Sequence, residues 1–460
     1  MSVVSREEPS ESVTDPLDVP NRRPAIAIPA DHDAVVGPQH KSVPPAYWGR
    51  TVREVLASPP RLAEFTTPVL TVDSAVVDRN LAAMHRWTSD RGLELAPHGK
   101  TTMSPTMWAR MFRNGATALT LATAWQVQIA RAAGIETIML ANTLASPPGI
   151  EWISAELDAD PEFRFSSWVD SADAVRALDD VLAARGARRP IDVIVELGGA
   201  GGRTGARTIE EALDIASAVA ASPWLRLVGT GGYEGALAHD RSEQGLAAVR
   251  GYLRAVADLH RRLDAAGRYE SDRAVVTAGG SAYFDLVADE LGGLVDAEGA
   301  RGIPTAVVLR SGAYLIHDDG FYRGISPLDG PARAEPDHFE SAMHAFVTIA
   351  STPEPGLALF DAGKRDLPFD EGLPTPQAVV GLSAEDGARA LAGAEVTALN
   401  DQHGFLRFPP EHSPDLPVGT VIRLGLSHPC TAFDKWRLIP LIDDHTAARP
   451  RVVDLISTYF

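Results

Sequence analysis

The sequence predicts an α/β protein: a (β/α)8, TIM-like barrel followed by a mostly β C-terminal domain. Three observations predict it. Short β-branched or apolar runs alternate with longer amphipathic runs between about Thr67 and Leu309, as parallel strands and their covering helices do. The strand-like runs number eight within about 220 residues, a spacing that suits a closed barrel better than an open doubly wound sheet. After about Gly312 the helical rhythm stops, and short apolar runs punctuated by Pro and Gly take over.

Residues 1–45 read as a flexible N-terminal extension. Met1 to Pro20 is rich in Ser, Glu, Asp and Pro, and no basic start precedes an apolar core, so it is not a secretion signal. The barrel is expected over residues 46–311. Its strands are placed at Leu93 to Ala96, Ala118 to Leu121, Thr137 to Leu140, Arg164 to Trp168, Ile191 to Leu197, Leu225 to Gly229, Ala274 to Thr277 and Thr305 to Leu309. The fifth, Ile-Asp-Val-Ile-Val-Glu-Leu, is the clearest. Helices are placed between them at Pro105 to Arg113, Ala124 to Ala133 (ending at Gly134), near Gly149 to Leu157, Ala172 to Ala184, Ile209 to Ala221 and Gln244 to Ala266. The last strand has no clear helix after it. In the β-rich domain, residues 312–460, strands are expected at Ala342 to Ile349, Ala378 to Gly381, Ala394 to Ala398 and Thr420 to Leu426.

Composition removes several classes of function. The net charge is 42 − 61 = −19, and so strong an excess of acid argues against a nucleic-acid partner. No apolar run approaches the roughly 18 residues that span a bilayer. The one cysteine, Cys430, allows no intrachain disulfide, which fits a cytoplasmic location.

Barrel active sites lie where the strands end, so the segments after each strand carry the chemical interest. Pro97-His98-Gly99-Lys100-Thr101-Thr102 follows the first strand. A lysine there either pairs with a carboxylate or forms a Schiff base with a carbonyl cofactor. Glu196 to Gly205 follows the fifth, with glycines that let backbone approach a ligand and a planar cation at Arg203. Gly231-Gly232-Tyr233-Glu234-Gly235 follows the sixth. Thr277-Ala278-Gly279-Gly280-Ser281 follows the seventh and leads into a helix, the arrangement of a phosphate cradle. In the β domain, Ser427-His428-Pro429-Cys430 places imidazole and thiolate two residues apart. In an extended segment they would face one metal ion, with Zn2+ preferred by that donor set. His403 is a third polar candidate near that pair, and Asp361-Ala362-Gly363-Lys364 reads as a strand-end turn.

The order of these segments resembles the fold-type III pyridoxal-phosphate enzymes, and more narrowly the D-serine dehydratase and D-threonine aldolase family, whose N-terminal barrel is alanine racemase-like. The resemblance rests on Pro97-His98-Gly99-Lys100-Thr101, Arg203-Thr204-Gly205, Tyr233-Glu234-Gly235, Gly279-Gly280-Ser281, Arg310-Ser311-Gly312-Ala313-Tyr314, Asp361-Ala362-Gly363, His403-Gly404 and His428-Pro429-Cys430. It implies pyridoxal 5'-phosphate bound to Lys100, with Thr277, Gly279, Gly280 and Ser281 at the phosphate end. It implies Arg203 and Tyr233 near the ring and Tyr314 at the site edge. It implies a divalent metal on His428 and Cys430, Zn2+ first and Mn2+ or Mg2+ after it, and a homodimer whose sites join one barrel to the other chain's β domain. Ala96, Thr102 and Gly198 depart from the family's common Arg, His and Asp. The activity implied is a lyase on D-3-hydroxy amino acids, dehydration and deamination of a D-serine-type substrate, with retro-aldol cleavage as the alternative. Racemisation and a non-catalytic cofactor carrier are the readings from other classes.

Overall fold

The computed structural model describes residues 30–297, 302–329, 337–409 and 416–460. Eight parallel strands form the barrel: β2 (Glu94–Leu95), β3 (Leu119–Leu121), β4 (Thr137–Thr143), β5 (Arg164–Val169), β6 (Ile191–Glu196), β7 (Leu225–Gly231), β8 (Ala274–Ala278) and β9 (Thr305–Leu309). The ring closes between β2 and β3, where Thr117 N–H donates to Leu95 O at 2.8 Å and Thr120 N–H to Pro97 O at 2.9 Å. Most residues of these strands are buried because both faces of the barrel sheet are covered.

The helices after β2 to β8 are α3 (Pro105–Arg113), α4 (Ala124–Ala132), α5 (Pro147–Ala159), α6 (Ala172–Arg185), α7 (Ile209–Ala220), α8 (Glu243–Ala265) and α9 (Phe284–Leu291). Side chains of Thr123, Ser171, Thr208 and Ser242 cap α4, α6, α7 and α8 by accepting a first-turn N–H, and Gly186 ends α6 in the left-handed conformation. As the sequence implies, no α-helix lies between β9 and β10 among the described residues. The barrel's remaining helix comes from before β2: α2 (Ser74–Ser89), which sets Trp87 edge-on to Phe284 of α9 at 4.8 Å and donates from Asn80 to the carbonyls of Leu315 and Glu340.

The second domain is a nine-stranded sheet. Strand β1 (Val69–Asp73) pairs antiparallel with β10 (Met343–Glu354) and parallel with β16 (Leu438–Ile442). Around them lie β11 (Leu357–Phe360), β12 (Thr375–Val379), β13 (Glu395–Leu399), β14 (Gly404–Arg407), β15 (Val421–Gly425) and β17 (Val452–Ser457), with short helices α10 (Ala384–Ala390) and α11 (Pro429–Phe433). The boundary expected at residue 46 therefore moves to Ser74. Helix α1 (Val52–Leu56) and the turn at Leu62 to Phe65 bury Val52, Val55, Leu62 and Phe65 against Leu438, Ile442 and Val452 of this sheet. Most of the expected extension, residues 1–29, lies outside the described residues. Its end is packed, with Val36 and Val43 in the same apolar cluster. Among the described residues no helix is long and apolar enough to cross a membrane.

Asp73 joins the domains. Its Oδ1 accepts the Val76 N–H at 3.0 Å, capping α2, and its Oδ2 accepts the His445 N–H at 3.0 Å and faces His445 Nδ1 at 2.7 Å. Burial raises this carboxyl, but the hydrogen bonds from His445 and Val76 outweigh it and bring it to about 2. The folded value lies below the unfolded one, so the stabilisation is full above the ordinary carboxylate range and is lost as pH falls toward 2. Asp73→Ala is expected to cost about 2 kcal/mol at pH 7, and less at pH 3. Urea melts at the two pH values check this; an equal deficit at both would contradict it.

Candidate active site

Lys100 stands at the C-terminal end of the barrel strands. Strand β2 runs only to Leu95, and Gly99 to Thr101 then form one tight turn. Two glycines let neighbouring loops close on it. A Cβ at Gly99 would sit 2.8 Å from both Leu119 and the Trp108 indole nitrogen, which donates to Gly99 O at 3.0 Å. A Cβ at Gly312 would meet the His98 backbone at 2.5 Å, so the loop after β9 presses directly on the lysine loop. Thr101 Oγ1 lies 3.6 Å from Cys430 Sγ, which brings the β domain to the same place.

His428 and Cys430 do meet, but not by extended alternation. His428 is left-handed (φ 49°, ψ 85°) and Pro429 begins α11, so a sharp turn into a helix folds the imidazole onto the thiol. Three further contacts hold it: His428 Nδ1 to Asp370 Oδ2 at 2.5 Å, Thr431 Oγ1 to Asp370 Oδ1 at 2.7 Å, and His428 N–H to Asp318 Oδ2 at 3.1 Å. Burial pulls the imidazole down, yet the Cys430 sulfur and the Asp370 carboxylate raise it to about 9. Burial likewise raises the thiol, but the His428 ring, Thr101 and the Lys100 ammonium leave it below its ordinary value. With Nδ1 held by Asp370, Nε2 is the nitrogen left for a metal, the usual arrangement of a carboxylate behind a histidine ligand. His403 does not join them. It is exposed in the turn between β13 and β14, where its carbonyl accepts the Asn400 N–H. Among the described residues, three close-set acids and imidazoles occur at Asp73, Asp444 and His445, where Asp73 is already bonded as a helix cap.

The floor of the mouth is built on Arg310, an arginine that is only 1% exposed. Its Nη1 donates to Thr277 Oγ1 and its Nη2 to Gly232 O, both at 2.6 Å, and its guanidinium lies 4.7 Å from the Trp168 ring centre. Thr277 thus holds Arg310. The expected phosphate cradle is occupied by protein: buried Glu234 accepts the Gly279 N–H at 3.0 Å and the Gly280 N–H at 2.6 Å. Helix α9 begins at Phe284, three residues after Ser281, whose Oγ accepts the Ala313 N–H at 3.2 Å. Tyr314 is not at the edge but in the core, its ring centre 6.0 Å from that of Phe339. Arg203 and Tyr233 do meet, with the guanidinium 5.1 Å from the ring centre. The space enclosed there with Glu196 and Leu237 is about 10 Å³, room for a single water.

The mouth nevertheless fits a polar cofactor. His98 Nδ1, Thr102 Oγ1, Ser104 Oγ, Trp168 Nε1, Glu196 Oε2 and Arg310 Nε are all buried without a partner. Native proteins leave few such atoms, and most of these belong to residues at the strand ends or in the lysine loop. Burial, with Lys100, Arg310 and Arg203 adding to it, keeps His98 neutral; burial is also the main cause that raises Glu196. The sequence reading missed Arg310 as a site residue, along with Glu196, Glu234 and Asp370. For Arg310 there was a signal, an arginine ending an otherwise apolar strand, Thr-Ala-Val-Val-Leu-Arg.

Comparison with known proteins gives two family matches: the alanine racemase N-terminal domain over residues 72–287, and the putative serine dehydratase domain over residues 342–442. A D-threonine aldolase of Arthrobacter sp. is 27% identical over 389 residues, 83% of this chain and 92% of that protein. A D-threo-3-hydroxyaspartate dehydratase of Delftia sp. (strain HT23) is 25% identical over 390 residues, 80% of this chain and 92% of that one. In fold, the D-threonine aldolase from Filomicrobium marinum superposes with a TM-score of 0.69 at 23% identity, over 87% of this chain and 96% of that one.

Proposed function

We propose, for a chain that belongs to the fold-type III pyridoxal-phosphate enzymes and is a lyase of their D-threonine aldolase and serine dehydratase branch, that it acts on D-3-hydroxy amino acids by dehydration and deamination. One observation carries this reading: the His428–Cys430 donor pair lies against Thr101, next to Lys100, so amine and metal donors serve one site. Pyridoxal phosphate, when bound, supplies the sink for the electron pair left at Cα.

Lys100 Nζ would hold the cofactor and would be the base placed to take the Cα proton. His428 Nε2 and Cys430 Sγ would hold a divalent metal, Zn2+ by their donor chemistry, which would supply Lewis acidity toward the substrate's β-hydroxyl. Asp370 and Asp318 fix the His428 ring and backbone so that this donor pair is oriented before substrate arrives. A solved relative, a cysteine-to-alanine variant of the D-threo-3-hydroxyaspartate dehydratase in a metal-free form, supports looking for metal at Cys430. In balance, one water leaves from Cα and Cβ, one water is consumed, and a keto acid and ammonia remain.

Retro-aldol cleavage is a second reading, favoured by the D-threonine aldolase at 27% identity and a 3-hydroxy-D-aspartate aldolase of Paracoccus denitrificans at 26%. There the β-hydroxyl loses its proton, Cα–Cβ breaks, and Cα takes a proton to give glycine and an aldehyde. Incubating the holoenzyme with D-serine, D-threonine and D-3-hydroxyaspartate, and assaying both product pairs, separates the two. Ammonia with a keto acid is expected, glycine with an aldehyde would shift the assignment to the aldolase, and neither pair from any of them would overturn the reading. The same reading has the chain act as a homodimer in the cytoplasm; a monomer mass by light scattering would remove the first part.

A further inference from the structure

Where β1, β15 and β16 end and β10 and β12 begin, the C-terminal sheet opens into a cleft of about 340 Å³. Lys100, His428 and Cys430 are not among its lining residues. Four of its lining residues each carry a buried polar atom without a partner: Asp319 Oδ2, His344 Nδ1, Gln377 Oε1 and Arg423 Nε. They come from the loop after the barrel, β10, β12 and β15, so no single local distortion accounts for them. Leaving a buried polar group unpaired is costly, and a ligand that satisfied all four would recover that cost.

The geometry around them is fixed. The His344 ring stacks on His445, with centres 4.2 Å apart and planes 12° from parallel. His445 is itself tied to Asp73 Oδ2, and its carbonyl accepts from Arg423 Nη1 at 2.6 Å. Burial, reinforced by His445 and Arg423, keeps the His344 ring neutral. Gly425 lies opposite His344 in the β10–β15 ladder, and a Cβ there would collide with the Gln377 amide and the Asp319 carboxylate. The glycine therefore lets those two groups stand together.

The inventory of unmet groups is specific: a carboxylate oxygen and an amide oxygen that accept, an imidazole nitrogen that accepts in one of its two neutral tautomers, and one guanidinium N–H that donates. A primary ammonium has three N–H donors, and a carboxylate accepts from Arg. We propose that this cleft binds a free amino acid as its zwitterion, the ammonium on Asp319, Gln377 and His344 and the carboxylate on Arg423. A simple anion is opposed by Asp318, Asp319 and Asp329 in the lining. A metal ion suits it less, because Arg423 shares the space and two stacked rings aim their nitrogens in parallel planes.

The test is calorimetric titration of the holoenzyme with each proteinogenic L-amino acid in turn, following the cofactor's visible absorbance in parallel. The L configuration keeps the probe from turnover by a D-specific lyase. At least one probe is expected to bind at one equivalent per chain without altering the absorbance. Asp319→Asn and Gln377→Leu are each expected to weaken it by about tenfold or more, with melting temperatures unchanged. If a variant melts lower, Arg423→Lys, which keeps the charge but loses the Nε–H, serves in its place. No saturable heat from any probe would overturn the proposal. So would heat that moves the cofactor band, binding that survives all three substitutions, or equal heat from ammonium or zinc chloride alone.

Discussion

Lys100→Ala is expected to abolish turnover, by about 10⁴-fold or more, and to release the cofactor's visible absorbance on gel filtration, because in the proposed mechanism one amine serves as both anchor and base. The loop itself should survive. Its shape comes from Trp108 donating to Gly99 O, from the Thr120 N–H on Pro97 O and from the close approach of Gly312, none of which uses the lysine side chain. The decisive comparison is between folding and colour. A variant with an unchanged melt and no visible band supports the role, and an unchanged band would remove Lys100 from it. Added methylamine restores part of the activity if the missing function is that of an amine, which a merely structural lysine would not allow.

The barrel was legible in the sequence because its signal is local. Ile191–Glu196 is a dense run of β-branched residues, all buried in the structure, and the stretch to the next such strand carries one amphipathic helix. What was not legible depends on partners far along the chain. Val69–Asp73 reads as any short apolar run, and only its pairing with residues near 345 and 441 assigns it to the second domain. Strands β16 and β17 at the chain's end escaped for a similar reason: Leu-Ile-Pro-Leu-Ile, buried along its whole length, has no alternation to read and a proline at its centre.

The site divides in the same way. Lys100 was identifiable because a lysine at a strand end is chemically conspicuous. The proximity of His428 to Cys430 was foreseen, but the reason was different: a left-handed residue and a one-turn helix in place of an extended strand. At Gly279 and Gly280 the glycine pattern suggests backbone N–H groups turned toward an anion, and in the structure both donate to the carboxylate of Glu234, a partner too far along the chain to be read from the pattern. Arg310 went unassigned because a buried arginine is unusual, and Thr277, Gly232 and Trp168 make it tolerable only in three dimensions.

Cys430→Ala is expected to strip the purified enzyme of its divalent metal and to lower turnover by about 10²-fold or more, while the visible band of the cofactor stays. The sulfur meets Thr101 and the His428 ring at the site, and the fold at α11, whose Ala432 and Phe433 remain buried without it. In the proposed assignment, loss of the thiolate removes one of two protein ligands. His428, still held by Asp370 through Nδ1, then binds metal alone and too weakly to retain it through purification. Asp370→Ala acts on the same ligand from behind and lowers metal content less, by about tenfold in affinity. Metal analysis by mass spectrometry separates these cases from a general loss of structure, since both variants should keep cofactor and melting temperature. Metal content unaffected by Cys430→Ala would refute the ligand assignment, and full turnover in the presence of a chelator would favour racemisation, which needs a second base on the opposite face and no metal.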